Sequence, residues 1–300
     1  MNAFTLPAFA KINWLLRVLG RRDDGFHEIC TAFQTVSLCD KLTFSANDRL
    51  ILTCDEKKIP TDESNLVMRA ANALRLKFGV EKGASIHLEK KIPAPGGLGG
   101  GSSDAAVALI GLARLWKLNI SFDELTEIGA RLGSDVPYFF YGGTALGAGS
   151  GTEIQPVDEI EEKFMLVVAP PVDVPTKSAF AGLNAPALTN QAPESILKLC
   201  RSEAEKLNLR HSVLENDFEP SVFQIEPEIS RVKEKLLELG AVQARMSGSG
   251  ASVFAVFDKE ETRQATLKAL REEEKNWRKF AVATVSRERY RAALELDFGR

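Results

Sequence analysis

The residues most able to do chemistry lie in a stretch running Lys90-Lys-Ile-Pro-Ala-Pro-Gly-Gly-Leu-Gly-Gly-Gly-Ser-Ser-Asp-Ala-Ala106. Five glycines fall between Gly96 and Gly101, so backbone N–H groups there can approach a ligand closely. An anion, phosphate above all, suits such a loop when it opens a helix, because unpaired N–H groups and the positive end of the helix dipole converge. The spacing departs from the common phosphate loops. A P-loop needs Lys after Gly101, and a dinucleotide fingerprint begun at Gly97 needs Gly at 102; Ser102 stands at that position. Three further groups call for a role or a bland explanation. Lys11 and Asn13 share one face of an extended segment, as an amine and an amide aimed into a site or as a solvated outer face. Asp135 precedes the apolar run Val136-Pro-Tyr-Phe-Phe-Tyr141; it is a helix cap, or a carboxylate whose pKa the surroundings raise unless a cation is near. Phe26 beside His27, in a polar turn with Gly20 and Gly25, is an ordinary turn or a ring pair that stacks on a planar base.

These groups need elements to position them. Alternation predicts a strand over 7–19, with Ala10, Ile12, Trp14, Leu16 and Val18 on the face opposite Lys11 and Asn13. Further strands are predicted over 32–38, 41–45 and 50–54. An amphipathic helix over 64–78 is stopped by Gly79, with Asn65 as its cap or as a ligand contact. A strand through Ile86 and Leu88 enters the glycine loop. An apolar helix over 105–116 leaves it, capped by Ser102 or Ser103 with Asp104 in its first turn. Ser121 and Glu124 form a capping box for a helix ending near Leu132. The glycine-rich run 142–151 reads as strand and turn.

An acidic, proline-bearing segment around 152–163 suggests a boundary, with domains at 1–158 and 159–300. Beyond it lie a buried strand over 164–169, a short helix from Thr176 bearing Phe180, helices over 194–208 and 227–240, strands over 241–246 and 251–257, a helix over 259–277 and a strand over 280–286. Without the extra helices this is a split β-α-β-β-α-β unit. The charged tail 287–300 carries no readable pattern.

Composition narrows the class. The chain has 300 residues and a net charge of −3 from 38 basic and 41 acidic side chains, so no basic field points to nucleic acid or a membrane surface. The cysteines, Cys30, Cys39, Cys54 and Cys200, form no Cys-x-x-Cys pair, so no disulfide framework is expected and a reducing cytoplasm fits. Three scattered histidines make no zinc pattern, and no signal peptide or membrane-length apolar run is evident.

The loop Pro-x3-Gly-Leu-Gly-Gly-Gly-Ser-Ser-Asp-Ala-Ala resembles the phosphate loop of the GHMP small-molecule kinases. Ala10-Lys11-Ile12-Asn13, Gly25-Phe26-His27, Gly133-Ser134-Asp135-Val136-Pro137, Pro175-Thr176, Asn216-Asp217-Phe218-Glu219 and Met246-Ser247-Gly248-Ser249-Gly250 extend the likeness along most of the chain. Lys-Ile-Asn with Gly-Phe-His is most similar to the members that phosphorylate a cytidine-diphosphate-linked polyol in non-mevalonate isoprenoid precursor synthesis. The resemblance implies an α+β fold, with an N-terminal domain like the second domain of ribosomal protein S5 and a C-terminal ferredoxin-like domain. It implies a cytoplasmic ATP-dependent kinase with Lys11 and Asp135 as catalytic residues. ATP would lie on Pro93, Ala94, Pro95, Gly96, Gly97, Leu98, Gly99, Gly100, Gly101, Ser102 and Ser103, with Asn65 near the adenosine. Asn13, Phe26, His27, Thr176 and Phe180 would bind the acceptor. Mg2+ would arrive with ATP; its protein ligands are unassigned, Ser103 being a candidate. Pro95 removes one N–H donor from the loop, and Phe26 stands where Tyr is common. The alternatives are another small-molecule kinase of the group and a nucleotide-binding protein without catalysis. The oligomeric state stays open.

Overall fold

The structure, a computed structural model, describes residues 3–23, 25–183, 202 and 215–296. The helix expected over 194–208 falls outside that span except at Ser202. Two sheets organise the rest. The first is built on a long antiparallel pair, β1 (Phe4–Arg21) and β2 (His27–Asn47). β3 (Leu50–Cys54), β4 (Gly83–Glu89), β5 (Thr144–Ala148) and β6 (Glu153–Pro156) complete six strands in the order β3-β4-β2-β5-β6, with β1 on β2. β3 and β4 run parallel, and α1 (Leu66–Phe78) is the crossover between them.

The period-2 pattern survives in β1, yet register shifts at Phe9/Ala10, Asn13/Leu15 and Val18/Gly20 bend the strand. The segment from Ala10 to Leu16 is consequently buried on both faces. Lys11 and Asn13 are each 3 % exposed, which rules out the solvated-face reading.

α1, α2 (Gly100–Trp116) and α3 (Phe122–Leu132) cover the sheet. Asn65 caps α1, its Oδ1 accepting from Val67 N–H at 2.9 Å. Ser121 and Glu124 form both bonds of the capping box at α3. α2 corrects one expectation. It starts at Gly100 and is capped by Gly99 in the left-handed region (φ 68°), so Ser102 and Ser103 lie inside the first turn and do not cap it. The flanking contacts supply the stability that Gly100 and Gly101 lack as helix formers: Gly99 lies against Phe139 and Lys11, and Gly100 against Ile92. The short α4 (Tyr138–Tyr141) follows Asp135 and buries Tyr138, Phe139 and Phe140.

The second sheet is antiparallel, in the order β10-β7-β9-β8, from β7 (Met165–Ala169), β8 (Gln243–Met246), β9 (Val253–Val256) and β10 (Arg278–Val282). α5 (Thr176–Ala181), α6 (Glu219–Ile225), α7 (Pro227–Glu238) and α8 (Glu260–Glu273) connect its strands, giving the split β-α-β-β-α-β arrangement. The charged tail is a further correction: Arg287–Leu294 form a helix, α9. Its Tyr290 and Leu294, one turn apart, are buried in the core of the first sheet, and Tyr290 Oη donates to the carbonyl of Phe139 at 2.5 Å. Cys30 is disulfide-bonded, against the expectation of unpaired cysteines, while Cys39 and Cys54 are free. Among the described residues no helix is long and apolar enough to cross a membrane.

Candidate active site

A cavity of about 610 Å³ opens where the glycine loop, β1 and the second sheet meet. β1 delivers Lys11 and Asn13 to its floor. The Lys11 backbone N–H donates to the carbonyl of Leu98 at 3.0 Å, so the strand and the glycine loop are joined directly. The Lys11 ammonium donates to Asn13 Oδ1 at 2.7 Å and lies 3.3 Å from Asp135 Oδ2. Asn13 in turn donates to Thr31 Oγ1, which donates to the carbonyl of Leu15, each at 2.7 Å. This chain fixes the lysine. Asp135 sits in the turn between α3 and α4 with its side chain 31 % exposed, so its free oxygen can meet a ligand while the other faces the ammonium.

The loop forms the next wall. Pro95, Gly97, Gly99 and Ser102 line the cavity, while Leu98 is buried beneath it. The Ala94–Pro95 peptide is cis. Ser247-Gly-Ser-Gly250 closes over the loop: Ser247 Oγ donates to the carbonyl of Gly97 at 2.9 Å, and the Ser252 N–H donates to that of Gly96 at 3.2 Å. Ser103 is fully buried, and its hydroxyl makes no hydrogen bond. Asp104, expected as a first-turn anion, is instead buried against Lys90. Burial pushes its carboxyl up to about 7 against the pull of the Lys90 ammonium, with Asp40 pushing the same way as burial.

Opposite the loop stands an aromatic wall. His27 stacks on Phe180 with ring centroids 4.6 Å apart, and Phe180 meets Phe218 edge-on at 4.8 Å. Phe26 is 60 % exposed at the rim. Partial burial and the neighbouring Arg21 lower the pKa of the His27 ring from its ordinary value, which favours the neutral form. Thr176 at the start of α5 bonds Ser249 at 3.1 Å. Asn216 Nδ2 donates to the carbonyls of Met246 and Gly248, both at 2.8 Å, and holds the closing loop in place.

The cavity thus brings together Lys11, Asn13, Phe26, His27, Asp135, Thr176, Phe180 and four loop residues. Asn65 is not among its lining residues: one side-chain end caps α1, and the other donates to the carbonyl of Pro60 at 2.6 Å. Pro93 and Ala94 line a second cavity of about 360 Å³ with Ile59, Lys58 and Lys90, and Pro95 borders both cavities. The sequence reading passed over Lys177, a cation at the rim beside Thr176, and Ser134 and Ser150 on the walls. The adjoining Pro175-Thr176 motif was the available signal for Lys177.

Family comparisons agree with this geometry. The GHMP kinases N terminal domain matches residues 65–143, and the GHMP kinases C terminal domain matches residues 186–276. The chain is a small-molecule kinase of the GHMP class. A 4-diphosphocytidyl-2-C-methyl-D-erythritol kinase of Chlorobium phaeobacteroides is 41 % identical over 263 residues, 86 % of this chain and 90 % of that protein. One from Geobacter sp. (strain M21) is 38 % identical over 95 % of this chain and 100 % of its own length. A crystal structure of a 4-(cytidine 5'-diphospho)-2C-methyl-D-erythritol kinase superposes with a TM-score of 0.75 at 30 % identity, covering 94 % of this chain and 99 % of that one. A homoserine kinase from Cytophaga hutchinsonii, at 21 % identity and a TM-score of 0.68, shares the fold. Within the GHMP class, the chain belongs to the 4-diphosphocytidyl-2-C-methyl-D-erythritol kinase family.

Proposed function

We propose that this kinase transfers the γ-phosphoryl group of ATP to the 2-hydroxyl of 4-diphosphocytidyl-2-C-methyl-D-erythritol, in the cytoplasm, as a step of non-mevalonate isoprenoid precursor synthesis. The observation that carries the proposal is one cavity in which the Lys11–Asp135 pair stands between a glycine loop and an aromatic wall. Phosphoryl transfer asks for alignment and charge stabilisation more than covalent chemistry. Asp135 accepts the proton of the acceptor hydroxyl as that oxygen attacks phosphorus. Lys11, pinned by Asn13, keeps a positive charge beside Asp135 and the transferring group.

The phosphates lie on Gly97, Gly99, Gly100, Gly101, Ser102 and Ser103 at the start of α2. The adenosine runs past Pro95 towards Pro93, Ala94 and the second cavity, with Asn65 nearby. Pro60, which Asn65 bonds, adjoins Ile59 on that cavity's wall. The cytosine stacks among Phe26, His27 and Phe180; Asn13 and Thr176 orient the polyol, and Lys177 neutralises part of the diphosphate. Mg2+ would neutralise charge on the ATP phosphates. Among the described residues no cluster of three metal-ligating side chains exists, which suits a cation held mainly by phosphate and water. Ser103, whose buried hydroxyl makes no hydrogen bond, is the candidate protein group beside it.

The test is a coupled ADP-release assay on the purified protein with the cytidyl polyol, homoserine, mevalonate and galactose as acceptors. Turnover with the cytidyl polyol alone, with a new phosphomonoester by 31P NMR, is the expected result. Preference for another acceptor would overturn the substrate assignment. ATP binding without ADP release from any acceptor would overturn the activity.

A further inference from the structure

Beneath the glycine loop lies an ionic cluster outside the acceptor cavity. Lys90 is the first residue after β4, at the entrance to the loop. Its side chain is 5 % exposed, and its ammonium lies 2.5 Å from Asp40 Oδ2 and 2.5 Å from Asp104 Oδ2. Asp40 comes from β2 and is fully buried; its other oxygen accepts from the backbone N–H groups of Lys91 at 2.5 Å and Ile92 at 2.8 Å. Asp104 belongs to the opening turns of α2, on the far side of the loop. A Cβ on Gly100 would lie 3.1 Å from the Lys90 ammonium, so the charge sits directly under the first turn of that helix.

One cation therefore ties the strand that enters the loop to the helix that leaves it, and Asp40 fastens both to the sheet. Between these anchors the chain is mostly glycine, with little stiffness of its own. We propose that Lys90, clamped by Asp40 and Asp104, is a positioning residue of the nucleotide site. It holds the two ends of the loop at the separation at which the N–H groups converge on the ATP phosphates. This rests on the reading of the loop as the ATP site. Neither Lys90 nor Asp40 lines the acceptor cavity, so the effect should fall on the nucleotide and spare the acceptor.

Removing one member of a buried ionic group leaves an uncompensated charge, whereas replacing the whole group by neutral side chains is often tolerated. The variant to make is therefore Lys90→Met with Asp40→Asn and Asp104→Leu, in which the amide oxygen at position 40 would still accept from the backbone N–H groups. Circular dichroism should show a folded protein. Calorimetric titration with Mg-ATP should give a Kd raised about tenfold or more, the scale of a sub-ångström to 1 Å misplacement. KM for the acceptor should stay within about twofold. A folded variant that binds Mg-ATP like the wild type would overturn the proposal, and so would equal rises for both substrates. Should the triple variant not fold, Asp104→Leu decides the question, since it breaks the bond from Lys90 to α2 while Lys90 stays paired with Asp40: an unchanged Kd for Mg-ATP refutes the proposal. Failure of the wild-type protein to bind Mg-ATP would instead sink the reading of the loop.

Discussion

Gly97→Ala probes the contact between the two halves of the site. Gly97 has φ 70°, and a Cβ there would lie 2.0 Å from the carbonyl oxygen of Ser247 and 3.0 Å from that of Gly250. Both neighbours are backbone, so neither can rotate away. Ordinary contact begins at 3.4 Å, so the glycine loop and the 247–250 loop must separate by about 1.4 Å. An L-residue in the left-handed region adds roughly 1–2 kcal/mol. The two bonds that join these loops, Ser247 to Gly97 and Ser252 to Gly96, weaken by about 1 kcal/mol each. Together these give about 3–4 kcal/mol, or a fall in Tm of about 6–16 °C. A shift of that size between groups that must align for phosphoryl transfer lowers kcat/KM by about 100-fold or more. Thermal denaturation and the ADP-release assay read both quantities. Gly101→Ala is the control, because its Cβ would meet only Leu66 Cδ1, at 3.7 Å, and Tm should hold or rise slightly. Wild-type Tm and kcat/KM in Gly97→Ala, or an equal loss of Tm in Gly101→Ala, would refute the reasoning.

Phe180→Ala removes the stacking partner of His27 and should raise the acceptor KM about 5- to 150-fold, at roughly 1–3 kcal/mol per stacked base, with the ATP KM unchanged. Lys177→Met should raise the acceptor KM by a few-fold, in keeping with about 1 kcal/mol for an exposed charge pair, and the effect should fade in high salt. Tyr290→Ala should lower stability by about 3–5 kcal/mol in thermal or urea unfolding, because the ring is fully buried and its hydroxyl bonds Phe139.

How much of this was legible beforehand depended on distance along the chain. Local rules succeeded where one segment holds the whole signal. The cap at Asn65, the stop at Gly79, and the Ser121–Glu124 box each need only a few neighbouring residues. Alternation placed β1, and the strand–loop–helix order around Gly96–Gly101 was readable. Tertiary contacts defeated the same rules at the start of α2. There two glycines become helical because Phe139, Lys11 and Ile92 pack against them and their neighbour Gly99. They also defeated them at α9, where two apolar side chains one turn apart lie among arginines and glutamates. Nothing in spacing joins Lys11 to Asp135; the family resemblance did that. The Lys90–Asp40–Asp104 cluster was invisible, because its members lie on a strand, a loop stem and a helix with no motif in common. Asp104 by itself looked like a favourable first-turn anion.

The central claim is that Asp135, beside Lys11, takes the proton from the hydroxyl of a cytidine-diphosphate-linked polyol. Single-turnover phosphoryl transfer to 4-diphosphocytidyl-2-C-methyl-D-erythritol by Asp135→Asn, with Mg-ATP binding measured on the same sample, tests it most directly. The expected outcome is intact nucleotide binding with the transfer rate reduced about 100- to 10,000-fold. Transfer at the wild-type rate by a variant that binds Mg-ATP normally would contradict it.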